Sequence, residues 1–318
     1  MANTEGGESG KSKSLFQATV SSDNTVFQQL ALDLGPEAVK DTAYDMGITS
    51  KLDGLPAETL GGLTGGVSPL ELTRAFVTVN NGGWRTKPVA ITKVVFPSGR
   101  VDKKLAKPRR AKVFTDGQTL EAVKALKANV EGGTGTSAQL GFCPAAGKTG
   151  TTTGYVDAWF AGFTRNLNTT VWVGYPKRSQ EMYNVPGWGN MLGGKAPASI
   201  WHDYMVRATP RKSCGDWPAA KQPFTPEPFY GTYATKGAPG SADPSDDPTQ
   251  PFSGPAPAAA APAGGAGGGG TGGGGGGNGG GGDGGAEFAP DAYETPPQDA
   301  PAAAETPGDG TSGGAAAG

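Results

Sequence analysis

The feature that most constrains folding is a change of composition at Gly237. From there to Gly318 the chain consists largely of Gly, Ala, Pro and acidic residues, and it includes the run GGAGGGGTGGGGGGNGGGGDGG. With hardly any aliphatic side chain larger than alanine, this part cannot bury enough apolar surface to offset the entropy of ordering it. We therefore predict a disordered tail at residues 237–318, an extended linker at 213–236 and one folded domain at 1–212.

Charge divides at the same position. Residues 1–236 hold 27 basic and 19 acidic residues, a net +8, whereas the tail holds 10 acidic residues and no Lys or Arg, a net −10. A mildly basic body would suit an anionic partner such as a polymer carboxylate or a membrane surface, with the tail screening it. We favour the alternative of a solvated surface beside a solubilising tail. No nucleic-acid partner is predicted.

Cysteine and histidine are too few for several kinds of site. Cys143 and Cys214 are too far apart for a CxxC motif. They would form a disulfide only in an oxidising compartment, and we favour two unrelated buried thiols. With a single histidine, His202, the sequence gives little support for a His-based metal site or a Ser-His-Asp triad. We expect His202 to be packed or on the surface. We predict no metal and no cofactor.

Membrane and secretion signals are not evident in the sequence. No apolar run approaches the roughly 18 to 20 residues of a membrane helix, and the N-terminal segment MANTEGGESGKSKSLFQ has no signal-peptide core. Taken by themselves, these observations indicate a soluble chain.

Hydrophobic periodicity predicts several helices. One is expected in NTVFQQLALDLG, with Asn24 as its cap and Gly35 as its stop, and another follows in PEAVKDTAYDMG. In SPLELTRAFVTVNNGG, Ser68 and Glu71 have the spacing of a capping box. A longer helix is expected in TDGQTLEAVKALKANVEGG.

The remaining patterns predict strands and one last helix. The segment KPVAITKVVFPSGRVDKKL alternates around a PSG turn and indicates a hairpin. Three strands, AGKTGTTT, DAWFAGFTR and TTVWVGYPK, are joined by turns so short that they must be antiparallel neighbours. A final helix in APASIWHDYMVRA, with Ile200, Tyr204 and Met205 at helical spacing, would pack on that sheet. The predicted class is α+β, an antiparallel sheet flanked by helices.

The strand that begins at Lys148-Thr149-Gly150 carries the first chemical signal. Strand alternation places Lys148 and Gly150 on one face, and Thr149 and Thr151 on the other. A lysine charge, threonine hydroxyls and the N–H groups of a strand edge suit an acyl donor that bears a carboxylate, and the glycine lets its backbone lie close. The alternative is an ordinary edge strand with a solvated lysine. A P-loop is excluded because Phe142 stands where its first glycine is required.

Ser22-Asp23-Asn24, at the start of a predicted helix, is the second signal. Alone it is most simply a helix N-cap. Followed by Lys-Thr-Gly in the same chain, it supplies two of the three elements of active-site-serine β-lactamases and penicillin-binding proteins.

Longer segments strengthen this comparison. The chain resembles the C-terminal part of the transpeptidase domain of class A (bifunctional) penicillin-binding proteins from about Asn3 to Arg207. The resemblance rests on the segments SDNTVFQQLALDLGPEAV, MGI, LGGLTGGVSPLELTRAFVTVNNGG, GGTGTSAQL, AAGKTGTTTGYVDAWFAGFT and TVWVGYP. It implies a β-lactamase/transpeptidase-like fold and D,D-transpeptidation, in which an active serine attacks the penultimate D-Ala carbonyl of a peptidoglycan stem peptide.

The resemblance also implies roles for individual residues. Ser22 would belong to the proton relay around the nucleophile, and Asn24 would hold the amide side chain of the donor. Lys148 would steer the donor carboxylate, which Thr149 and Thr151 would hydrogen-bond beside Gly150. The Thr151 N–H would be one of two oxyanion donors. Catalytic roles are thus expected for Ser22, Lys148 and Thr151, and substrate binding for Asn24, Thr149, Gly150 and Thr151.

The same resemblance implies partners and a location. Stem peptides and β-lactams would bind, and other cell-wall synthesis proteins are further candidate partners. The full-length parent would be anchored in the membrane and act on its extracytoplasmic face.

One departure from the family pattern affects activity. The family holds its nucleophile in Ser-x-x-Lys, and no lysine of this sequence has a serine three residues before it. We therefore expect an N-terminally incomplete fragment, inactive by itself. A β-lactamase-like hydrolase and a non-catalytic cell-wall-binding protein are the alternatives.

Overall fold

The protein has helices together with antiparallel strands, as predicted for an α+β domain. The structure, a computed structural model, describes residues 13–102, 108–226, 229, 231 and 232. The predicted tail lies outside the described residues. Six α-helices are present in that part of the chain: α1 Leu15–Ser21, α2 Asn24–Leu34, α3 Pro36–Met46, α4 Pro69–Asn80, α5 Asp116–Gly132 and α6 Ala196–Ala208. The strands are β1 Trp84–Thr86, β2 Val94–Val95, β3 Val101–Asp102, β4 Arg110–Lys112, β5 Ala146–Thr151, β6 Asp157–Thr164 and β7 Leu167–Gly174.

Short polar side chains define where the helices begin. The predicted capping box of α4 is confirmed, since Ser68 accepts from the Glu71 N–H and Glu71 reaches back to the Ser68 backbone. The predicted cap of α2 is wrong by one residue. Asp23, in extended conformation, accepts from the Thr25 N–H, and Asn24 is the first helical residue. Gly35, with a φ of 86°, ends α2 as predicted.

The sheet that carries the Lys-Thr-Gly strand has the order β5-β6-β7 and is antiparallel throughout, as predicted. Thr149 lies opposite Phe160 in the register, and Ala146 lies opposite Phe163. Cross-strand partners share a face, so these two pairs mark the two sides of the sheet. Among the described strands, β5 is an edge strand.

Helix α6 covers one face of this sheet. Trp201 of α6 packs edge-to-face on Phe160, with ring centroids 5.3 Å apart, and both side chains are fully buried. The predicted apolar face of this helix was partly wrong, because Ile200 and Tyr204 are about half exposed whereas Met205 is buried. Trp201 has more apolar area to bury than Ile200, so the face of α6 that carries Trp201 lies against the sheet.

Helices α4 and α5 cover the opposite face. Phe163 is fully buried there against Val123 of α5 and Phe76 of α4, beside the small Ala146 of β5. The rings of Phe76 and Phe163 meet edge-to-face with centroids 6.3 Å apart. The sheet is therefore packed on both sides, and α5, which packs on β5, also packs on α1.

The predicted hairpin is present but short. Strands β2 and β3 pair around Gly99, which has a φ of 77°. A second pair, β1 with β4, forms from segments further apart in the sequence. In the described part of the predicted segment, Val94–Val95 pairs with Val101–Asp102. Lys87, at the start of that segment, donates its N–H to Arg109 beside the β1–β4 pair instead.

Cys143 and Cys214 form a disulfide, which corrects our preference for two unrelated thiols. The chain leaves α6, turns at Arg211–Ser213 and brings Cys214 to within 5.2 Å, Cα to Cα, of Cys143 just before β5. Sequence spacing could not reveal this return, because 71 residues separate the two cysteines.

The segment after Cys214 continues across α5 and α4. Trp217 packs edge-to-face on Phe163 and donates from Nε1 to Asn80 Oδ1 at 2.7 Å. Asp216 pairs with Lys127 of α5 at 2.6 Å. No helix in the described part of the chain is long and apolar enough to cross a membrane.

Candidate active site

The turn between α1 and α2 presents Ser22. Helix α1 ends at Ser21, and Ser22 takes a left-handed conformation with φ 56° and ψ 48°. Such a conformation is uncommon for a residue other than glycine and is often found at functional positions. Asp23 is buried beside it, where it caps α2 and pairs with Lys13 at 2.7 Å.

Lys148 of β5 joins this turn to the sheet. Its Nζ donates to Ser22 Oγ at 2.6 Å, across a separation of 126 residues. The same Nζ donates to the backbone oxygen of Thr149 at 3.1 Å and contacts Thr149 Oγ1 at 3.4 Å. The lysine therefore curls over the edge of its own strand and reaches the neighbouring threonine, although strand alternation places their Cβ atoms on opposite faces.

The two threonines of β5 have different surroundings. Thr149 is buried, and its Oγ1 is 2.7 Å from Thr134 Oγ1. Thr151 Oγ1 accepts from the Gly193 N–H at 3.0 Å. The next residue, Thr152, donates its N–H to Asp157 of β6 at 3.0 Å. Since successive N–H groups of a strand point to opposite edges, the Thr151 N–H is directed away from β6.

Gly193 brings protein backbone against β5 at Gly150. A Cβ at Gly150 would lie 3.3 Å from the Trp159 Cβ, and a Cβ at Gly193 would lie 2.6 to 2.8 Å from Gly150 O and N. The loop at Gly193 thus lies directly on β5. The approach of a ligand's backbone at Gly150 stays a prediction.

Of the predicted site residues, the structure brings Ser22, Lys148 and Thr149 into direct contact. Asn24 is the first residue of α2, two positions from Ser22, and Thr151 lies two positions along β5 from Thr149. Hydroxyl groups and one ammonium group therefore converge at the edge of β5. Such a set can attract an anion, donate hydrogen bonds to it and pass a proton between hydroxyls.

Sequence reasoning missed two residues of this cluster, Asn129 and Thr134. Asn129 is fully buried on α5 and donates from Nδ2 to Thr134 Oγ1 at 2.9 Å. One signal was available: an amide inside the apolar repeat of α5, followed by the glycine-flanked threonine of GGTGT. In the described part of the chain, no group of three or more His, Cys, Asp or Glu could hold a metal ion.

Known proteins are similar to this chain in sequence and fold. A family profile described as "Penicillin binding protein transpeptidase domain" matches residues 2–205. Penicillin-binding protein 1A of Aquifex aeolicus is 36% identical over 197 residues, which is 61% of this chain and 26% of that protein. The chain therefore spans about a quarter of the length of this relative.

Two solved structures of a mycobacterial protein are also similar. The structure of the penicillin-binding protein PonA1 from Mycobacterium tuberculosis has a TM-score of 0.58 at 26% identity and covers 69% of this chain and 63% of that one. The structure of PonA1 in complex with penicillin V has a TM-score of 0.59 at 24% identity and covers 70% and 63%. The second likeness bears on the fold alone.

Proposed function

This chain belongs to the transpeptidase domain family of class A penicillin-binding proteins, and we propose that it supplies the donor-docking and proton-relay half of a D,D-transpeptidase site. The observation that carries this proposal is the 2.6 Å hydrogen bond from Lys148 Nζ to Ser22 Oγ. It unites Ser-Asp-Asn with Lys-Thr-Gly at the edge of one strand, as a family site would require.

Docking of the donor follows from the groups at this edge. The penultimate D-Ala carbonyl of a stem peptide is followed by a terminal carboxylate. Lys148 provides the positive potential that attracts this carboxylate, and Thr149 and Thr151 donate hydrogen bonds to it. Asn24 would hold the donor's amide side chain, and Gly150 allows its backbone to lie against β5.

Acyl transfer would use two further groups. The Thr151 N–H, directed away from β6, is one oxyanion donor for the tetrahedral intermediate. The Lys148 ammonium group can only donate, so the Ser22 oxygen accepts its hydrogen bond. The Ser22 hydroxyl proton is therefore available for exchange with the reacting groups. Ser22 would therefore pass to the departing D-Ala amine the proton that the nucleophilic serine gives up when it attacks.

The nucleophile is the part that this sequence does not supply. No serine stands three residues before any lysine. We propose that Ser-x-x-Lys is contributed by residues outside these 318, in a longer parent protein that works at the extracytoplasmic face of the membrane. β-Lactams would bind there as mimics of the donor.

Fluorescent penicillin tests this proposal directly. The 318-residue chain should form no covalent adduct, because an acyl-enzyme needs a nucleophile held against its base. The same chain extended by the preceding coding sequence with an in-frame Ser-x-x-Lys should give a stoichiometric, boil-resistant labelled band. A labelled band from the short chain, or none from the extended one, would overturn the proposal.

A non-catalytic wall-binding protein is the second candidate, favoured by the lack of Ser-x-x-Lys in the sequence. A stop codon immediately upstream of Met1, together with binding of the short chain to isolated peptidoglycan, would support it. A β-lactamase-like hydrolase would instead be recognised by rapid turnover of the acyl-enzyme of the extended protein.

A further inference from the structure

Asn129 connects the two halves of the candidate site. Its Nδ2 donates to the backbone oxygen of Val20 at 2.8 Å and to Thr134 Oγ1 at 2.9 Å. Val20 lies two residues before Ser22, and Thr134 Oγ1 is 2.7 Å from Thr149 Oγ1. One buried amide group therefore contacts the segment that carries Ser22 and the threonine that contacts the Lys-Thr-Gly strand.

The turn after α5 is shaped for this contact. A Cβ on Gly133 would overlap the Val20 backbone oxygen, and a Cβ on Gly135 would lie 2.7 Å from Asn129 Oδ1. Between these glycines, the Thr134 N–H is 3.4 Å from the Val20 oxygen. Glycines on both sides of Thr134 thus allow its hydroxyl to sit between Asn129 and Thr149.

The chemistry of the donors allows one direction for this hydrogen-bond chain, from Asn129 through Thr134 to Thr149. An amide NH₂ group can only donate, so Thr134 Oγ1 accepts from Asn129 and its own proton is available to Thr149 Oγ1. An ammonium group can also only donate, and Lys148 Nζ is 3.4 Å from Thr149 Oγ1. With Thr149 Oγ1 accepting from both neighbours, its proton is left for another acceptor, and each bond polarises the next.

We propose that Asn129 and Thr134 are positioning residues for the transpeptidase reaction, which direct the Thr149 proton towards the carboxylate of the acyl donor while Asn129 holds the Ser22 turn against β5. This inference rests on the function proposed above. A carboxylate only accepts hydrogen bonds, so a threonine oriented as a donor is its matching partner. Among the described residues, Asn129 Oδ1 has no hydrogen-bond partner, so this buried amide is used for its NH₂ group.

A matched pair of variants separates the hydroxyl of Thr134 from its packing. In the extended protein with Ser-x-x-Lys, Thr134→Val keeps the shape but removes the hydroxyl, whereas Thr134→Ser keeps the hydroxyl. We expect Val to slow acylation by penicillin about tenfold, which corresponds to about 1.4 kcal/mol, and Ser to stay within roughly threefold of the wild type.

The ligand provides a second control. Penicillin methyl ester lacks the carboxylate charge, so Thr134→Val should slow its acylation by no more than about twofold. Equal rates for Val and Ser, or an equal loss with penicillin and its ester, would show that Thr134 only fills space and would overturn the proposal.

The 318-residue chain permits a test that needs no catalysis. In Asn129→Ala, release of Val20 should loosen the Ser22 turn, and labelling of Lys148 by an amine-reactive reagent, read by peptide mass spectrometry, should rise about threefold or more. Lys124, exposed on the same helix, is the internal reference. Asn129→Leu, which keeps most of the side-chain volume but removes the NH₂ group, is the second variant with the same readout if the Ala variant does not fold.

The two experiments distinguish the possible failures. Unchanged Lys148 labelling in a folded Asn129→Ala chain would overturn the positioning role whatever penicillin does. An extended protein that penicillin never acylates would overturn the proposed function, while the labelling experiment would still judge whether Asn129 holds the two halves together.

Discussion

Two polar clusters of this protein use the same kinds of side chain in different ways. The Glu71 cluster comprises Glu71, Thr49, Ser50 and Ser68, and its members are at most 22 residues apart. Both Glu71 oxygens are occupied: they accept from the backbone N–H and the hydroxyl of each of the three partners at 2.6 to 3.0 Å. This cluster joins the start of α4 to the loop after α3.

The site cluster comprises Ser22, Lys148, Thr149, Thr134 and Asn129. It joins segments more than 100 residues apart. It also contains two energetically unfavourable features. Ser22 has a left-handed backbone conformation, and the buried Asn129 Oδ1 has no hydrogen-bond partner among the described residues. Saturated, local hydrogen bonding is typical of a stabilising element, whereas strain and unused polar groups are typical of functional sites.

The largest effect on stability should come from Glu71. Glu71→Ala leaves six donors without their carboxylate and should lower the free energy of unfolding by about 3 kcal/mol. Chemical denaturation of the full chain measures this. Glu121→Ala, which removes only an exposed pair with Lys124, is the control and should change stability by less than about 0.5 kcal/mol. Equal losses for both variants would contradict the contrast between the clusters.

Ser22→Gly should affect function and spare stability. Glycine accepts the left-handed conformation without strain but is more flexible in the unfolded chain, so the free energy of unfolding should change by less than about 1 kcal/mol. Loss of the hydroxyl should slow penicillin acylation of the extended protein roughly ten- to a hundredfold, about 1.4 to 2.7 kcal/mol. A Ser22→Gly variant that unfolds readily but acylates normally would show that Ser22 stabilises the fold and does not take part in acylation.

The Glu71 cluster should also give the chain a pH dependence. Hydrogen bonds from Thr49, Ser68 and Ser50 hold the pKa of Glu71 well below its usual value of 4.5. Because the folded pKa is depressed, the stabilisation is fully present above about pH 5 and is lost as pH falls through and below 4.5. Between pH 6 and 3 the wild type should lose part of this stabilisation, and Glu71→Gln should lack that component of the pH profile. Identical acid profiles for the two proteins would contradict this.

The smallest predicted effect concerns the cap of α4. Ser68→Ala removes the hydroxyl that accepts from the Glu71 N–H and should cost about 1 kcal/mol of unfolding free energy. Thermal unfolding of the full chain is sensitive enough to detect it. A loss as large as that of Glu71→Ala would mean that the cap, and not the carboxylate, holds this cluster together.

The two clusters also differ in how far the sequence could predict them. The Ser68–Glu71 capping box lies within one helical turn, and its spacing was sufficient to predict it. The three strands of the sheet were predicted as well, because short turns leave no other arrangement. Local signals determine both features.

Features that depend on distant segments were not predictable in the same way. The contacts of Asn129 with Val20 and of Thr134 with Thr149 require α1, the end of α5 and β5 to meet, and no local pattern encodes this. The bond between Cys143 and Cys214 was missed for the same reason. Motifs indicated Ser22 and Lys148, but their hydrogen bond could be seen only in the folded chain, and the roles assigned to them stay predictions.

The central claim is that Lys148 serves an acyl donor's carboxylate rather than the solvent. The most direct measurement is the second-order rate constant for penicillin acylation of the extended protein, wild type against Lys148→Ala. Loss of a charge-assisted contact of about 1.5 to 3 kcal/mol should lower the rate constant roughly ten- to a hundredfold, and Lys148→Arg, which keeps the charge, should be affected less. Equal rates for wild type and Lys148→Ala would show that the lysine only completes a hydrogen bond to Ser22, and would contradict the account.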